Sequence, residues 1–305
     1  MKAHNAYRVK KKTAGVLLSV FRFVLIFGLC YIILYPFIIK ILAACMSPED
    51  LLDSTVKYVP RNLSTYYWKY AWDRLDLTDS GWRTLRISLI SAFIQMLVSA
   101  MVGYGLARFK FPGRKLAFAL VIIILLVPQQ IYSIPQYMHF RYFGIGGATV
   151  NLLNTDLPFY LLAFGCMSVK QCLYIYLMRE LFKDLPMDLE NAAYVDGASI
   201  GRTFVQIVLP NAKGMMLTVF LFAFCWSWTD TELSSLYFQG KTTLALRPVL
   251  GSYIMIKGQV VSRDPLGTAI ARNAAALIII MPIVILAIIC QRFLVRSISR
   301  TGMAN

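Results

Sequence analysis

Long apolar runs, separated by shorter polar and mostly basic segments, set the pattern of this chain. Crossing the hydrocarbon of a bilayer takes about 20 mostly apolar residues in a helix. Six runs qualify: Val16 to Ile41, Leu85 to Ala107, Leu116 to Met138, Leu157 to Met178, Met215 to Leu236 and Ala271 to Phe293. Lipid offers the backbone no hydrogen-bond partners, so helices that satisfy their own N–H and C=O groups are expected. The predicted fold class is an all-α integral membrane protein with six transmembrane helices. Residues 1–15 then form an N-terminal tail, 16–41 the first spanning helix, 42–83 an outer loop, 84–294 a five-helix core and 295–305 a C-terminal tail.

Orientation follows from where Lys and Arg fall. One side collects Lys2 to Lys12, then Arg108, Lys110, Arg114 and Lys115, then Arg179, Lys183, Arg202 and Lys213, and finally Arg292, Arg296 and Arg300. On the other side, the first loop mixes Lys57, Arg61, Lys69, Arg74 and Arg83 with Glu49, Asp50, Asp53, Asp73, Asp76 and Asp79, leaving no basic excess. Both termini are therefore expected in the cytoplasm.

The fourth run is the weakest, because Lys170 and Gln171 sit in its middle beside Gly165 and Ser168. An ionisable residue at membrane depth marks a functional site by default. The alternative is a helix broken there, with Lys170 facing a protein- or water-lined cavity. Pro36, Pro128 and Pro282 mark kinks or helix ends in the same way.

Composition agrees with a lipid environment: 58% of residues are hydrophobic and only 15% charged, and the mean hydropathy is +0.61. The net charge of +16 lies beside apolar runs rather than in basic-aromatic patches, which argues against a nucleic-acid partner. The cysteines (30, 45, 166, 172, 225, 290) are scattered without a CxxC, and His4 and His139 are the only histidines, so no metal or His-based catalytic cluster is expected. The first apolar run is too long for a secretory h-region, and Leu42-Ala-Ala-Cys45 lies too deep for a lipoprotein cleavage box; an uncleaved first helix is expected.

Between the fourth and fifth runs lies a long polar segment, 179–214, rich in helix punctuation. Asp184 is placed to cap a helix with Pro186 in its first turn, where acidic Asp188 and Glu190 suit the positive helix end. Gly197 closes that helix, since a C-terminal turn favours a residue tolerant of positive φ. Ser199 caps a second short helix toward Ile207, and Pro210 separates it from the fifth span. The result is a helix-turn-helix at the membrane face, slim at Ala192 and Ala193. A lipid-resting amphipathic helix would carry Lys and Arg on its polar face, whereas Asp188, Glu190 and Asp196 dominate here.

The stretch Asn191-Ala-Ala, three residues, Gly197, nine residues, Ile207-Val-Leu-Pro210 resembles the EAA loop of permeases in binding-protein-dependent ABC importers. It departs at one place: Asn191 stands where the family usually has glutamate, with Glu190 one position earlier. Gly103-Tyr-Gly-Leu-Ala-Arg108-Phe-Lys-Phe-Pro-Gly113-Arg is similar to a turn of the carbohydrate-type, maltose-permease-like branch. Ile134-Pro-Gln-Tyr137, Tyr176 to Phe182 and Trp228-Thr-Asp230 look like further landmarks, with Thr229 where Asn is common.

The resemblance implies a type I ABC importer permease fold and a non-catalytic subunit in the prokaryotic plasma membrane. It implies a second permease, two cytoplasmic ATPases that use ATP and Mg, an extracytoplasmic solute-binding protein and lipid as partners. The chain itself has no GxxxxGK[ST] phosphate loop. The ATPase-coupling residues would be Glu190, Asn191, Ala192, Ala193, Asp196, Gly197, Ile207, Leu209 and Pro210. For an oligosaccharide or related solute, Trp226, Trp228, Asp230, Glu232 and Lys170 are the candidate pathway residues, aromatic faces and polar groups matching the two sides of a sugar. An aromatic belt at the interface is the competing account of the tryptophans. The outer segment Gln239 to Arg272 would reach a docked binding protein. Polyols and glycerol phosphodiesters stay open as solutes; a secondary transporter is the rival class, against which the absence of an inverted repeat counts.

Overall fold

The computed structural model of this chain describes residues 2–145, 148–168, 170–239, 243–245, 253–256, 259–263 and 265–301. The helices are α1 (Lys2–Ala44), α2 (Tyr66–Leu75), α3 (Trp82–Arg108), α4 (Arg114–Leu126), α5 (Gln129–Arg141), α6 (Leu157–Phe164), α7 (Gln171–Asp184), α8 (Asp188–Val195), α9 (Ile200–Thr203), α10 (Leu209–Asn211), α11 (Lys213–Trp228), α12 (Glu232–Tyr237) and α13 (Pro265–Thr301). Two antiparallel hairpins join β1 (Phe143–Ile145) to β2 (Ala148–Val150) and β3 (Tyr253–Ile256) to β4 (Gln259–Arg263).

Three of the six predicted crossings differ from single helices. Val127 is extended ahead of Pro128, as a residue before proline prefers, so α4 ends there and α5 leaves at 102°. The fourth run divides into α6 and α7, and the fifth into α11 and α12. Pro36 and Pro282, by contrast, lie inside continuous helices. Among the described residues, three helices are long and apolar enough to cross a membrane, and five crossings result if each bent pair counts as one. The Leu157 to Met178 run is not among those five. The last helix starts at Pro265, inside the segment expected to be an outer loop; Gly240, Lys241, Thr242, Pro248, Gly251 and Gly258 of that loop lie outside the described residues.

The chain forms two compact units. In the unit of residues 1–74 and 249–278, the most apolar stretch of α1 is not buried at all, so lipid or a partner must cover side chains such as Phe23, Ile32 and Ile33. The turn after α1 is organised by buried Asp50, whose carboxylate accepts the N–H groups of Arg61 and Asn62 at 3.0 Å each.

In the unit of residues 75–248 and 279–305, α3 is the central helix, packed against α7, α11 and α6. Gly103 explains how closely α3 meets α7: a Cβ there would lie 2.8 Å from Met178 Cβ and 3.0 Å from the Arg179 nitrogen. Thr84, Ser88, Ser91, Gln95 and Ser99 recur at three- and four-residue intervals, forming one buried polar face of α3. The serines and the threonine among them are small enough to let helices approach in lipid. Beside α3, Phe140 and Phe159 meet Tyr237 edge-on, with centroids 5.4 and 5.5 Å away, and anchor α12.

Candidate functional site: an elbow and a cavity

The 179–214 segment folds into an exposed elbow. Leu185 is extended, again because proline follows, which makes Asp184 the last residue of α7 rather than a cap. The next helix instead begins after Met187, with no side-chain cap, and carries Asp188 and Glu190 in its first turn. Its end is a Schellman motif: Ala198 N–H donates to the Ala193 carbonyl at 2.9 Å, and Gly197 N–H to that of Tyr194 at 3.1 Å. Gly197 has φ +78°, with open space where a side chain would go, so conformation rather than crowding favours glycine. Ser199 is extended, and its hydroxyl accepts the Arg202 N–H at 3.4 Å to cap α9.

Beyond α9 the helix continues, contrary to the expected stop near Ile207, through a π turn over Phe204–Val208 into α10. Pro210 has no N–H to return to the Gln206 carbonyl, which accounts for the widened turn. The break into α11 falls at Ala212, with a 79° bend.

The predicted coupling residues divide between two faces. Asn191, Ala192, Asp196, Gly197 and Pro210 are exposed, and Ile207 and Leu209 are half-buried. Glu190 and Ala193 point inward instead, at 3% and 5% exposure. Glu190 Oε1 lies 2.7 Å from Arg108 Nε, a contact of charges too bent for a hydrogen bond, and its other oxygen accepts the Tyr104 hydroxyl at 2.8 Å. The exposed face adds apolar Tyr194, Val195 and Ile200, which no local motif singles out.

At the other end of α7 lies a cavity of about 530 Å³. All three helix breaks open onto it: Val127–Pro128 and the segment before Lys170, where a kink and a broken helix were among the expectations, and Thr229–Thr231, where none was. Irregular backbone at membrane depth is tolerated where it lines a cavity or is buried in protein. Gln171 shows how one break is satisfied, its amide donating to the Ala163 carbonyl at 2.6 Å and accepting from Ser168 N–H at 3.3 Å. Lys170 and Cys166 hold left-handed backbone, φ +58° and +61°, an arrangement that stores strain and clusters at functional sites.

Four of the five predicted pathway residues reach this cavity: Lys170, Trp226, Asp230 and Glu232. The Lys170 ammonium stands 5.4 Å from the Trp226 ring centre. Asp230 is committed to α12, accepting the Ser234 N–H at 2.9 Å and the Ser234 hydroxyl at 3.1 Å, while Glu232 accepts the Gln130 amide at 2.9 Å. Trp228 is the exception. Two residues from Trp226, it points to the opposite side of α11, stacks on Phe224 and donates to the Ile279 carbonyl at 2.9 Å. Gln130 and Tyr132 line the wall and were missed; the two glutamines after Pro128, inside an apolar run, were the available signal. Among the described residues no group of three His, Cys, Asp or Glu is placed to hold a metal.

A family model described as the binding-protein-dependent transport system inner membrane component matches residues 86–300, which include both elbow and cavity. The chain belongs to that family. Its membership agrees with the apolar helices in making this a membrane protein of the type I importer permease fold. Within the family, the chain is similar to the trehalose transport system permease protein SugB of Mycobacterium tuberculosis (strain CDC 1551 / Oshkosh), 26% identical over 71% of this chain and 73% of the relative. It is likewise similar to the galactooligosaccharides transport system permease protein GanQ of Bacillus subtilis (strain 168), 27% identical over 92% and 94%. In three dimensions it resembles a chain of a bacterial ABC transporter involved in the import of the acidic polysaccharide alginate, with TM-score 0.71, 17% identity, and coverage of 90% and 96%.

Proposed function

We propose that this chain is one permease half of an ATP-driven importer for an oligosaccharide or a related solute, with both termini cytoplasmic. It would pair with a second permease, two ATPases that bind ATP and Mg, and a solute-binding protein that delivers cargo from outside. As a subunit without chemistry of its own, it would convert closure of the ATPases into movement of its helices. The observation that carries this reading is the elbow: an exposed helical turn, closed at Gly197 and restarted by the Ser199 cap, with a small-residue crest at Ala192, joined directly to the helix that reaches the cavity. Such a turn offers a partner's groove a rigid knob, and its displacement would switch the helices between two packings.

For the solute, support comes from relatives named for trehalose and galacto-oligosaccharide transport. It comes also from a cavity that combines the face of Trp226 with the amides and carboxylates that sugar hydroxyls require. Reconstitution in proteoliposomes tests the whole reading. Uptake should need the second permease, the ATPases, ATP and the loaded binding protein; uptake by this chain alone would assign it to secondary transport. Cysteine at Asn191 should cross-link to an ATPase subunit, and failure over several linker lengths would remove the seating of the elbow.

A further inference from the structure

Residues Asn191 and Glu190 are neighbours on α8 that face opposite ways, and the inward one meets the end of α3. Arg108, the last residue of α3, and Glu190 are buried to 9% and 4% side-chain exposure. Arg108 also donates through Nη2 to the Leu185 carbonyl at 2.7 Å, holding the turn that precedes α8. One helical turn back, the Tyr104 hydroxyl grips the same Glu190 carboxylate. Tyr104 is itself enclosed by Phe109, Phe182 and Phe204, with ring centres 5.5, 5.6 and 4.8 Å away. The last of these rings belongs to the π turn after α9, so both arms of the elbow contact this one residue of α3.

We infer that Arg108 and Glu190, with Tyr104, form an internal strut that makes α3 move with the elbow. This rests on the coupling role proposed above and adds to it the route into the helix core. The physical reason is asymmetry of cost. A desolvated ion pair adds little net stability while closed, but separating it leaves two charges in an aromatic cage, so the two helices resist parting far more than apolar contacts of the same area would. α3 then carries the displacement onward, because Gly103 sets its backbone against α7 with no slack. The two positions on α8 thus divide the work: neutral Asn191 faces outward, and charged Glu190 acts inward as a positioning residue.

The test uses the assembled importer in proteoliposomes and needs no knowledge of the solute. Labelling of the cavity cysteine Cys166 by a membrane-impermeant maleimide is read by mass spectrometry, with and without a non-hydrolysable ATP analogue. In the wild type the nucleotide should change the labelling rate several-fold. Glu190→Gln should abolish that response while the cysteine at Asn191 still cross-links to the ATPase, because the outer face of the elbow stays intact. The exchanged pair Arg108→Glu with Glu190→Arg should restore at least half of the response. Tyr104→Phe, which keeps the charges and removes one hydrogen bond, should reduce the response about twofold to threefold, and it serves if Glu190→Gln fails to assemble. A full nucleotide response in assembled Glu190→Gln or an unchanged one in Tyr104→Phe overturns the strut. Absence of a response in the wild type, together with no cross-link at Asn191, would instead remove the coupling reading and the strut with it.

Discussion

The elbow and the cavity stand at opposite ends of α7, about 20 Å apart at the rise of a 14-residue helix, and their construction differs in kind. At the elbow each turn is ended by the residue best suited to it: extended Leu185 before Pro186, left-handed Gly197, Ser199 as cap. At the cavity, helices stop where their composition would let them continue, and two side-chain-bearing residues, Cys166 and Lys170, take up left-handed backbone. The first region is locally determined and presents its backbone without strain. The second is held open by its surroundings, with Gln171 and Asp230 occupied in repairing interrupted backbone.

The sharpest division within the cavity wall is between the two tryptophans. Trp228→Ala removes a buried ring and leaves the Ile279 carbonyl unpaired, and should cost about 3 to 5 kcal/mol, seen as a large fall in the melting temperature of the purified complex. Trp226→Ala, at a half-exposed site on the cavity, should leave melting nearly unchanged and raise the KM for import. Reversal of the two results would redraw the cavity. Gly103→Ala probes what links the two regions: with neighbouring backbone 3.0 Å from the new methyl group, about 2 kcal/mol of stability should be lost.

Smaller effects separate the elbow from the cavity by backbone alone. Gly197→Ala should cost about 1 kcal/mol through its positive φ, whereas Gly197→Asn, which tolerates that conformation, should cost less; equal losses would show that crowding matters there. Lys170→Gly should run the other way, relieving left-handed strain and raising stability by up to about 1 kcal/mol, while import declines if the ammonium contacts solute. The least effect is expected at Asp53, which belongs to neither region. Hydrogen bonds from the Thr55 hydroxyl and amide, then the Arg61 charge, hold its carboxyl below the usual range. The folded chain therefore takes up this proton less readily than the unfolded one. Its stabilisation is present above the ordinary carboxylate pKa and is lost as pH falls through the lowered value, and Thr55→Ala should flatten that part of the acid melting profile.

How much of this was legible follows the same division. The elbow could be read because proline, glycine and serine constrain dihedral angles within a few residues of themselves. Its inward side could not, since the pairing of Glu190 with Arg108 spans most of the core and neither residue announces it locally. The breaks were legible only in part: Pro128 and Lys170 marked two of them, but neither showed how far the backbone would turn. Apolar composition is averaged over a run, and Leu116 to Met138 stays apolar across Pro128 although the backbone turns by 102°. Trp226 and Trp228 were grouped because they are close in the chain, yet two residues of helix turn a side chain to the far side.

A long helix is stiff along its axis, but one interrupted at Pro128, Lys170 or Thr229 can rock there without losing an interior hydrogen bond. A displacement that enters at the elbow and reaches these breaks along α7 can then widen or narrow the mouth of the cavity while each half-helix keeps its own shape.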